Sequence, residues 1–372
     1  MAKRPDAQAK EVTPIEEAAK QLDRGQPAIT TTQEGKPTNM NTSQSPTSAR
    51  TARNRRRRAG AGTSLSGATA SSSSRRGTNR PIDFEALFKT DFDAERWLLW
   101  PFVQEGHLGA LYAPPKAGKS LVLLDFIVQS LRHSAKGAAP SSPLRVLYLD
   151  RENSSRDIAR RLQAFGVGPE DLGSLRYISF PQLDWLDTAA GGERLFRLAE
   201  KHRANLVVFD SVSRFVQGSE NEASTWNALY AHSLAPLKAA GIASLRVDHT
   251  GKHEDRGMRG SSAKASDVDS AWLLAHDANS GKRTLTRTYV RDGMGPGEVR
   301  LRVLHEPLEH IVVDSETSPA DLLAEQLRRL GFDAHGTREE ARALLEPYDF
   351  PLPNSEYGKV KKLLSLDDAP GS

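Results

Sequence analysis

Residues 108–131 read LGALYAPPKAGKSLVLLDFIVQSL. The run Leu108–Tyr112 is apolar and strand-like, and the run Lys119–Leu131 has the apolar pattern of a buried helix. Between them lies Ala113-Pro-Pro-Lys-Ala-Gly118-Lys119-Ser120, which follows the pattern G-x-x-x-x-G-K-[ST] except that alanine replaces the first glycine. A strand, a loop of this pattern and a helix predict a nucleoside triphosphate held at the start of the helix.

The residues of this loop have distinct predicted tasks. Backbone N–H groups at the helix start point at the β-phosphate. Lys119 would reach the β- and γ-phosphates, and Ser120 would bind Mg²⁺. Alanine at the first position is compatible with a negative φ, and the two prolines stiffen the turn. The predicted ATP-binding residues are Ala113, Pro114, Pro115, Lys116, Ala117, Gly118, Lys119 and Ser120.

A carboxylate on the magnesium side of the site is also predicted. The apolar run 205–209 ends in Asp210. An acid at the tip of a buried strand is typical of the Walker B position, where it holds the water shell of the metal. Asp210 and Ser120 are therefore the predicted metal residues. The alternative for Asp210 is an aspartate that caps a helix.

Two more polar residues follow strand-like runs. Glu152 comes after the run 145–149 and is the predicted base that polarises the attacking water. The alternative is a solvated loop acid. His249 follows the run 242–247 and is predicted to sense the γ-phosphate and report it to the next loop, although an isolated histidine is more often structural.

Strand-like and helix-like runs alternate within residues 106–304, which predicts an α/β fold with a doubly wound, mainly parallel sheet and helices on both faces. The strand-like runs are 108–112, 145–149, 176–179, 206–209 and 242–247, and the helical ones are 119–131, 155–165, 192–202 and 222–240. Later strand-like runs, at 270–275, 283–290 and 298–304, lack intervening helices. We expect these to extend one edge of the sheet as antiparallel strands.

The two ends of the chain differ from this core. Residues 1–80 are rich in Ser, Thr and Arg, poor in aromatics, and predicted to be a disordered basic tail. Its run Arg55–Arg58 is either a nucleic-acid tether or a solubilising segment. Residues 81–315 would form the ATPase domain, with the aromatic-rich stretch 84–102 packed on its core. The alternative for these aromatics is stacking on a base. Residues 316–372 would form a small helical segment, either winged-helix-like or a docking arm.

Composition excludes several classes of protein. The 372-residue chain has no cysteine, so disulfide frameworks and cysteine nucleophiles are excluded. Without a long apolar stretch or a secretory signal, a soluble cytoplasmic protein with no membrane contact is expected. The tail, residues 1–80, has a charge of +9 and the rest −5, so any grip of the core on nucleic acid must be local.

The motifs together resemble those of RecA-like ATPases and, within them, the RepA-type hexameric helicases. The resemblance covers about residues 84–304 and rests on the segments Tyr112–Ser120, Tyr148–Glu152, Val207–Ser211, Asp248–His249 and Arg259–Ser262. It implies ATP and Mg²⁺ as cofactors. It also implies catalytic roles for Glu152, Lys119 and His249.

The resemblance further implies a homo-hexameric ring in which a neighbouring subunit donates an arginine to each ATP site. Arg291, which precedes Asp292-Gly293, matches that residue best, and Arg287 is the second choice. Related ring helicases have a lysine two residues before the arginine. Tyr289 stands there in this chain, which puts the second contact from the neighbour in doubt.

The predicted contact with single-stranded DNA is a glycine-containing basic segment after His249. Its basic residues are Lys252, His253, Arg256, Arg259 and Lys264. Such a segment at a ring centre would follow a phosphate backbone, and the alternative is a solvated surface loop. Three functions therefore stand: a DNA helicase or DNA-dependent ATPase in replication of a plasmid, phage or mobile element; a nucleotide-controlled regulatory ATPase without unwinding activity; and a small-molecule kinase.

Overall fold

A computed structural model describes residues 81–89, 96–132, 141–251, 264, 266–277 and 281–367. The predicted disordered tail, with its arginine run, lies outside these residues. So does most of the predicted DNA-binding segment, residues 252–263.

The described residues contain a small two-stranded sheet and one large sheet of nine strands. The small sheet pairs β1 (Trp97–Leu99) with β2 (Val103–Gln104). The strands of the large sheet are β3 (Leu108–Ala113), β4 (Val146–Asp150), β5 (Leu175–Ser179), β6 (Leu206–Asp210), β7 (Ala243–His249), β8 (Ser270–Asp277), β9 (Lys282–Val290), β10 (Glu298–Leu304) and β11 (Glu309–Val313).

The strand order is β11-β10-β9-β8-β3-β7-β6-β4-β5, and the six strands from β8 to β5 run parallel. The predicted doubly wound, mainly parallel sheet is therefore confirmed. The predicted antiparallel direction is right for β9 and β10 and wrong for β8, which pairs parallel to β3. Ser270, the first residue of β8, pairs with Gly109 near the start of β3, so β8 runs in the same direction as its neighbour. Strand β11 was not predicted.

The helices are α1 (Phe84–Phe88), α2 (Lys119–Leu131), α3 (Ser155–Ala164), α4 (Ala189–Lys201), α5 (Ala223–Leu229), α6 (Ala235–Ala239), α7 (Pro319–Arg329), α8 (Arg338–Leu345) and α9 (Asn354–Asp367). Alternate residues of the strands point to opposite faces. Val146 and Tyr148 pack with α2 on one face, whereas Leu147 and Leu149 pack with α4, α5 and α6 on the other. Both faces are thus covered, as predicted.

The predicted helix 222–240 is broken into α5, a π-helical turn (Tyr230–Leu234) and α6. Pro236 near the start of α6 has no N–H, so the carbonyl of His232 loses its regular helical partner. That carbonyl instead lies against α4 at Gly192, where a Cβ atom would come within 1.9 Å of it. Gly192 is therefore required by the close approach of the two segments.

The aromatic-rich stretch before β3 is only partly buried. Trp97 and Phe102 are buried, which confirms the predicted packing for the end of the stretch. Phe84 and Phe88 are 64% and 86% exposed, so the prediction is wrong for α1. Helix α1 has five residues, too short to present an apolar stripe to the core.

The C-terminal helices α7, α8 and α9 share a hydrophobic core of their own, centred on Leu327, Leu345 and Val360. Their contacts with the sheet include the Gln326 side chain, which bonds both the N–H and the carbonyl of His305. Arg329 also pairs with Glu309 of β11 at 2.7 Å. Over the residues that the structure covers, no helix is both long and apolar enough to cross a bilayer.

The contact between α4 and the π-helical turn gives a stability prediction. Gly192→Ala should lower the free energy of unfolding by about 1–3 kcal/mol or more, because the backbone must move to admit the methyl group. Gly173→Ala is the matched control, since an added Cβ there meets no atom within 4 Å. Urea unfolding monitored by circular dichroism measures both variants. Equal midpoints for the two would contradict the prediction.

Candidate functional site

The loop 113–118 links β3 to α2 at the edge of the sheet where the parallel strands end. Ala113 is the last residue of β3, and extended backbone there accepts any residue, which explains why alanine can replace glycine. Gly118 has φ +88°, a left-handed conformation that favours glycine, and it directly precedes the first residue of α2. The loop therefore directs the N-terminus of α2 into the site.

Lys119 is buried at the mouth of this loop. Its Nζ atom lies 3.1 Å from the carbonyl oxygens of Ala113 and Pro114, and 3.3 Å from Nδ1 of His249. Burial lowers the pKa of Lys119, and the nearby acids Asp210, Glu152 and Asp248 oppose that shift. The Lys119 ammonium group thus lies between the phosphate-binding loop, the end of β7 at His249 and the acids of the site.

Asp210 ends β6 and is 1% exposed. Tyr148 Oη donates a hydrogen bond to its Oδ2 at 2.7 Å. Burial raises the pKa of Asp210 to about 6, while the hydroxyl groups of Tyr148 and Ser120 lower it. The buried Oδ1 has no well-formed hydrogen bond to any described residue.

These atoms fit a magnesium site. Mg²⁺ prefers hard oxygen ligands and retains several of its waters. The unpaired Oδ1 of Asp210 would accept a hydrogen bond from such a water, and the Ser120 hydroxyl at the start of α2 would supply a second oxygen.

Asp150 ends β4 directly beside Asp210, its register partner on β6. It is fully buried, and its Oδ1 accepts the N–H groups of Glu152 (2.6 Å) and Asn153 (2.9 Å). The Tyr177 hydroxyl donates to its Oδ2, and the Tyr177 ring stacks on that of Tyr148 with centroids 4.5 Å apart. Asp150 therefore fixes the turn that carries Glu152.

Glu152 faces the same edge, with a side chain 32% exposed. Its Oε1 lies 2.5 Å from Oγ of Ser211 and 3.6 Å from Nε of Arg214. The structure thus brings Glu152, Lys119, Asp210 and His249 to one edge of the sheet, as the sequence predicts.

His249 is the last residue of β7. Burial and the neighbouring Lys119 lower its pKa, so the imidazole is neutral near pH 7. Since the Lys119 ammonium can only donate, Nδ1 is the accepting nitrogen. The next residue, Thr250, donates its N–H to the Ala113 carbonyl at 3.1 Å, which ties the end of β7 to the phosphate-binding loop.

The predicted contact of Lys264 with DNA is wrong. Lys264 was grouped with the basic residues that would contact DNA, but it is fully buried and its Nζ lies 2.5 Å from Oδ2 of Asp248. It also lies 4.1 Å above the Trp226 ring. A buried, paired ammonium cannot reach a phosphate backbone. The other four members, residues 252, 253, 256 and 259, lie outside the described residues.

Arg291 and Arg287 lie at the far end of β9, away from the phosphate-binding loop of their own chain. Arg291 pairs with Asp269 at 2.9 Å, and Asp269 also accepts the N–H of Leu108, the first residue of β3. Arg287 donates to the Met294 carbonyl. Neither arginine joins the cluster at the strand tips, so any role in an ATP site requires a second subunit.

Several residues at the strand tips were not predicted. Tyr148, Tyr177 and Ser211 contact the two aspartates or Glu152 directly. Arg283, at the start of β9, has its Nε 3.9 Å from where a Cβ on Gly118 would stand. For Tyr148 a signal existed, since it precedes Asp150 by two residues and shares its side of the strand. Tyr177 and Arg283 enter through sheet pairings that the sequence does not specify.

Comparison with known proteins supports the same assignment. A protein-family model described as an AAA domain matches residues 74–255, slightly less than half of the chain. The match includes the phosphate-binding loop, Glu152, Asp210 and His249, and it ends before β8. No curated protein matches the chain. The matched region and its geometry together identify a P-loop ATPase domain.

The buried Asp210 gives a prediction about stability and pH. Its pKa of about 6 exceeds its unfolded value near 3.8, so stability falls as pH rises from about 4, where the unfolded carboxyl ionises first, and the loss is complete above about pH 6. Asp210→Asn should therefore stabilise the metal-free protein at pH 8 by up to roughly 3 kcal/mol. The gain should shrink as pH falls through 6 and vanish below about 4.

Urea unfolding of both proteins in EDTA at pH 4, 6 and 8 measures this effect. Asp184→Asn is a suitable control, because its side chain is 47% exposed and pairs with Arg194 at the surface. A difference between Asp210→Asn and the parent protein that does not change with pH would contradict the prediction.

Proposed function

We propose that this P-loop ATPase acts on DNA, as a RepA-like helicase or DNA-dependent ATPase in the replication of a plasmid, phage or mobile element. One arrangement is the main support. His249 contacts Lys119 at the triphosphate site, and the chain then continues into the basic segment 251–264. Lys264, at the other end of that segment, is anchored to Asp248. Both ends of the segment are therefore attached to the tip of β7.

In the proposed reaction Lys119 binds the β- and γ-phosphate oxygens, and Glu152 accepts a proton from the attacking water. Ser120 and, through a water, Asp210 would hold Mg²⁺, which would supply positive charge to neutralise the triphosphate. Asp150 keeps the Glu152 turn in place through two backbone hydrogen bonds. These residues come from the tips of β4 and β6 and the start of α2, so the parallel sheet itself sets their spacing.

The contact between Lys119 and His249 provides the proposed coupling. A γ-phosphate competes with Nδ1 of His249 for the Lys119 ammonium, because both are acceptors for the same donor. Gain or loss of the γ-phosphate then changes the hydrogen bonding of His249. That change acts on the backbone at Thr250, where the basic segment begins.

Single-stranded DNA and a homo-hexameric ring complete the proposal. The basic residues of the segment 252–259 would follow the DNA backbone. Arg291 would be given to the ATP site of a neighbouring subunit. Its side chain is 57% exposed, so another chain can reach it without unfolding β9.

The assignment of the base gives a kinetic prediction. Glu152→Gln should lower the ATP turnover number by about 10²- to 10⁴-fold, because an amide cannot accept the proton. The affinity for ATP should remain, since among the described contacts no hydrogen bond or ion pair joins Glu152 to the phosphate-binding loop. Phosphate release and binding of a fluorescent ATP analogue measure the two effects. A turnover number equal to that of the parent protein would place the base elsewhere.

Lys119→Ala is the companion variant. It should abolish hydrolysis and leave the fold intact, because its ammonium bonds only loop carbonyls and His249 among the described residues. Loss of binding in Lys119→Ala together with retained binding in Glu152→Gln would separate phosphate binding from water activation. Circular dichroism of both variants checks the fold.

The action on DNA is tested by ATP turnover with and without single-stranded DNA, on protein whose mass in solution is measured. We expect stimulation by DNA that declines with salt, and a hexamer in the presence of ATP. Unchanged turnover, and no complex with DNA at low salt, would rule out the motor. Stimulation without strand displacement would instead favour a nucleotide-controlled regulatory ATPase.

A further inference from the structure

The Glu152 carboxylate is held through one of its two oxygens. Oε1 accepts a hydrogen bond from Ser211 Oγ at 2.5 Å and faces Nε of Arg214 at 3.6 Å. Among the described contacts, no hydrogen bond or ion pair involves Oε2 of Glu152. A carboxylate held at one oxygen has a fixed orientation, and its other oxygen remains able to accept a proton.

Both partners, the hydrogen-bond donor Ser211 and the ion-pair partner Arg214, come from the short segment that directly follows Asp210 at the end of β6. That segment is tied back to the turn that carries Glu152. Arg151 donates to the carbonyl of Arg214 at 2.8 Å, and its guanidinium lies 4.6 Å above the Phe215 ring. The backbone N–H of Arg151 also donates to the Asp210 carbonyl at 2.9 Å. The two partners and the carboxylate therefore belong to one connected unit.

We propose that Ser211 and Arg214 are positioning residues that orient the Glu152 carboxylate toward the attacking water. The inference rests on the proposed role of Glu152 as the base. Neither residue touches the substrate in this scheme. Each acts by fixing Oε1, so that Oε2 keeps one direction throughout the reaction.

The two residues differ in burial, and this difference ranks their contributions. Ser211 is 1% exposed, so its hydroxyl has little competition from water. Arg214 has a side chain 65% exposed, where an ion pair is screened and contributes little. Ser211 should therefore be the stronger determinant of the orientation of Glu152.

The test compares steady-state ATP turnover of single variants of the full chain. Ser211→Ala should lower kcat about 10-fold or more with an unchanged KM, because a misplacement near 1 Å costs up to about 10²-fold. Arg214→Ala should lower kcat only about two- to fivefold, and Arg214→Lys should restore part of the loss. An unchanged KM shows that the folded fraction of each variant binds ATP as the parent protein does. Circular dichroism of each variant checks that this fraction has not fallen.

Matched controls remove the same groups from positions without contact to Glu152. Ser219→Ala removes an exposed hydroxyl from the same stretch of chain, which among the described contacts accepts the N–H of Asn221. Arg194→Ala removes an arginine of similar exposure that pairs with Asp184. Both controls should keep the kcat of the parent protein. An unchanged kcat in Ser211→Ala would overturn the proposal.

A second comparison shows whether Ser211 acts through Glu152. In single-turnover experiments, Ser211→Ala should have little further effect once Glu152→Gln is present, since residues of one unit are not additive. An equal loss in both backgrounds would mean that Ser211 acts elsewhere, which overturns the positioning role alone. Parent-like turnover in Glu152→Gln would instead show that the proposed function has the wrong base.

Discussion

The site depends on two buried carboxylates that the sheet places side by side. Asp150 and Asp210 end adjacent parallel strands in exact register, so neither can move away from the other without breaking the sheet. Two like charges in a dry environment are costly unless they are hydrogen-bonded. The stacked pair Tyr148 and Tyr177 meets this need, because each ring donates its hydroxyl to one of the two acids. Every other element of the site is arranged around these two acids.

Asp150 and Asp210 have different roles in the site. Asp150 is saturated by backbone N–H groups and a hydroxyl, and it serves the turn that carries Glu152. Asp210 keeps one buried oxygen without a well-formed partner, and this makes it the acid suited to a hydrated metal. Burial of the same carboxyl raises its pKa, so its ionised form disfavours folding when no metal is bound. Activity and stability therefore oppose each other at the tip of β6.

The sequence was sufficient for the parts of the molecule that depend on local pattern. Strand–loop–helix spacing predicted that Lys119 and Ser120 lie at the start of a helix. Apolar runs predicted that Glu152, Asp210 and His249 lie at or just past strand ends, and the structure places them there. The pairing of strands that are distant in the sequence was harder to predict. The parallel direction of β8, the strand β11 and the role of Tyr177 all depend on which strands become neighbours. Lys264 was misassigned because the sequence does not show which lysines are buried and paired with an acid, as Lys264 is with Asp248.

Asp269 lies at the opposite edge of the sheet and pairs with two cationic side chains, Lys238 and Arg291. Lys238 holds both of its carboxylate oxygens, at 2.7 and 2.6 Å, and Leu108 donates a backbone N–H to it, while Arg291 adds a second positive charge. If another chain withdraws Arg291, Asp269 keeps an ion pair and a hydrogen bond, so no bare charge is left behind in the interior. The first residue of β3 also keeps its partner. The Arg291 side chain could therefore leave Asp269 without breaking the contacts that hold the start of β3, the strand that leads to the phosphate-binding loop.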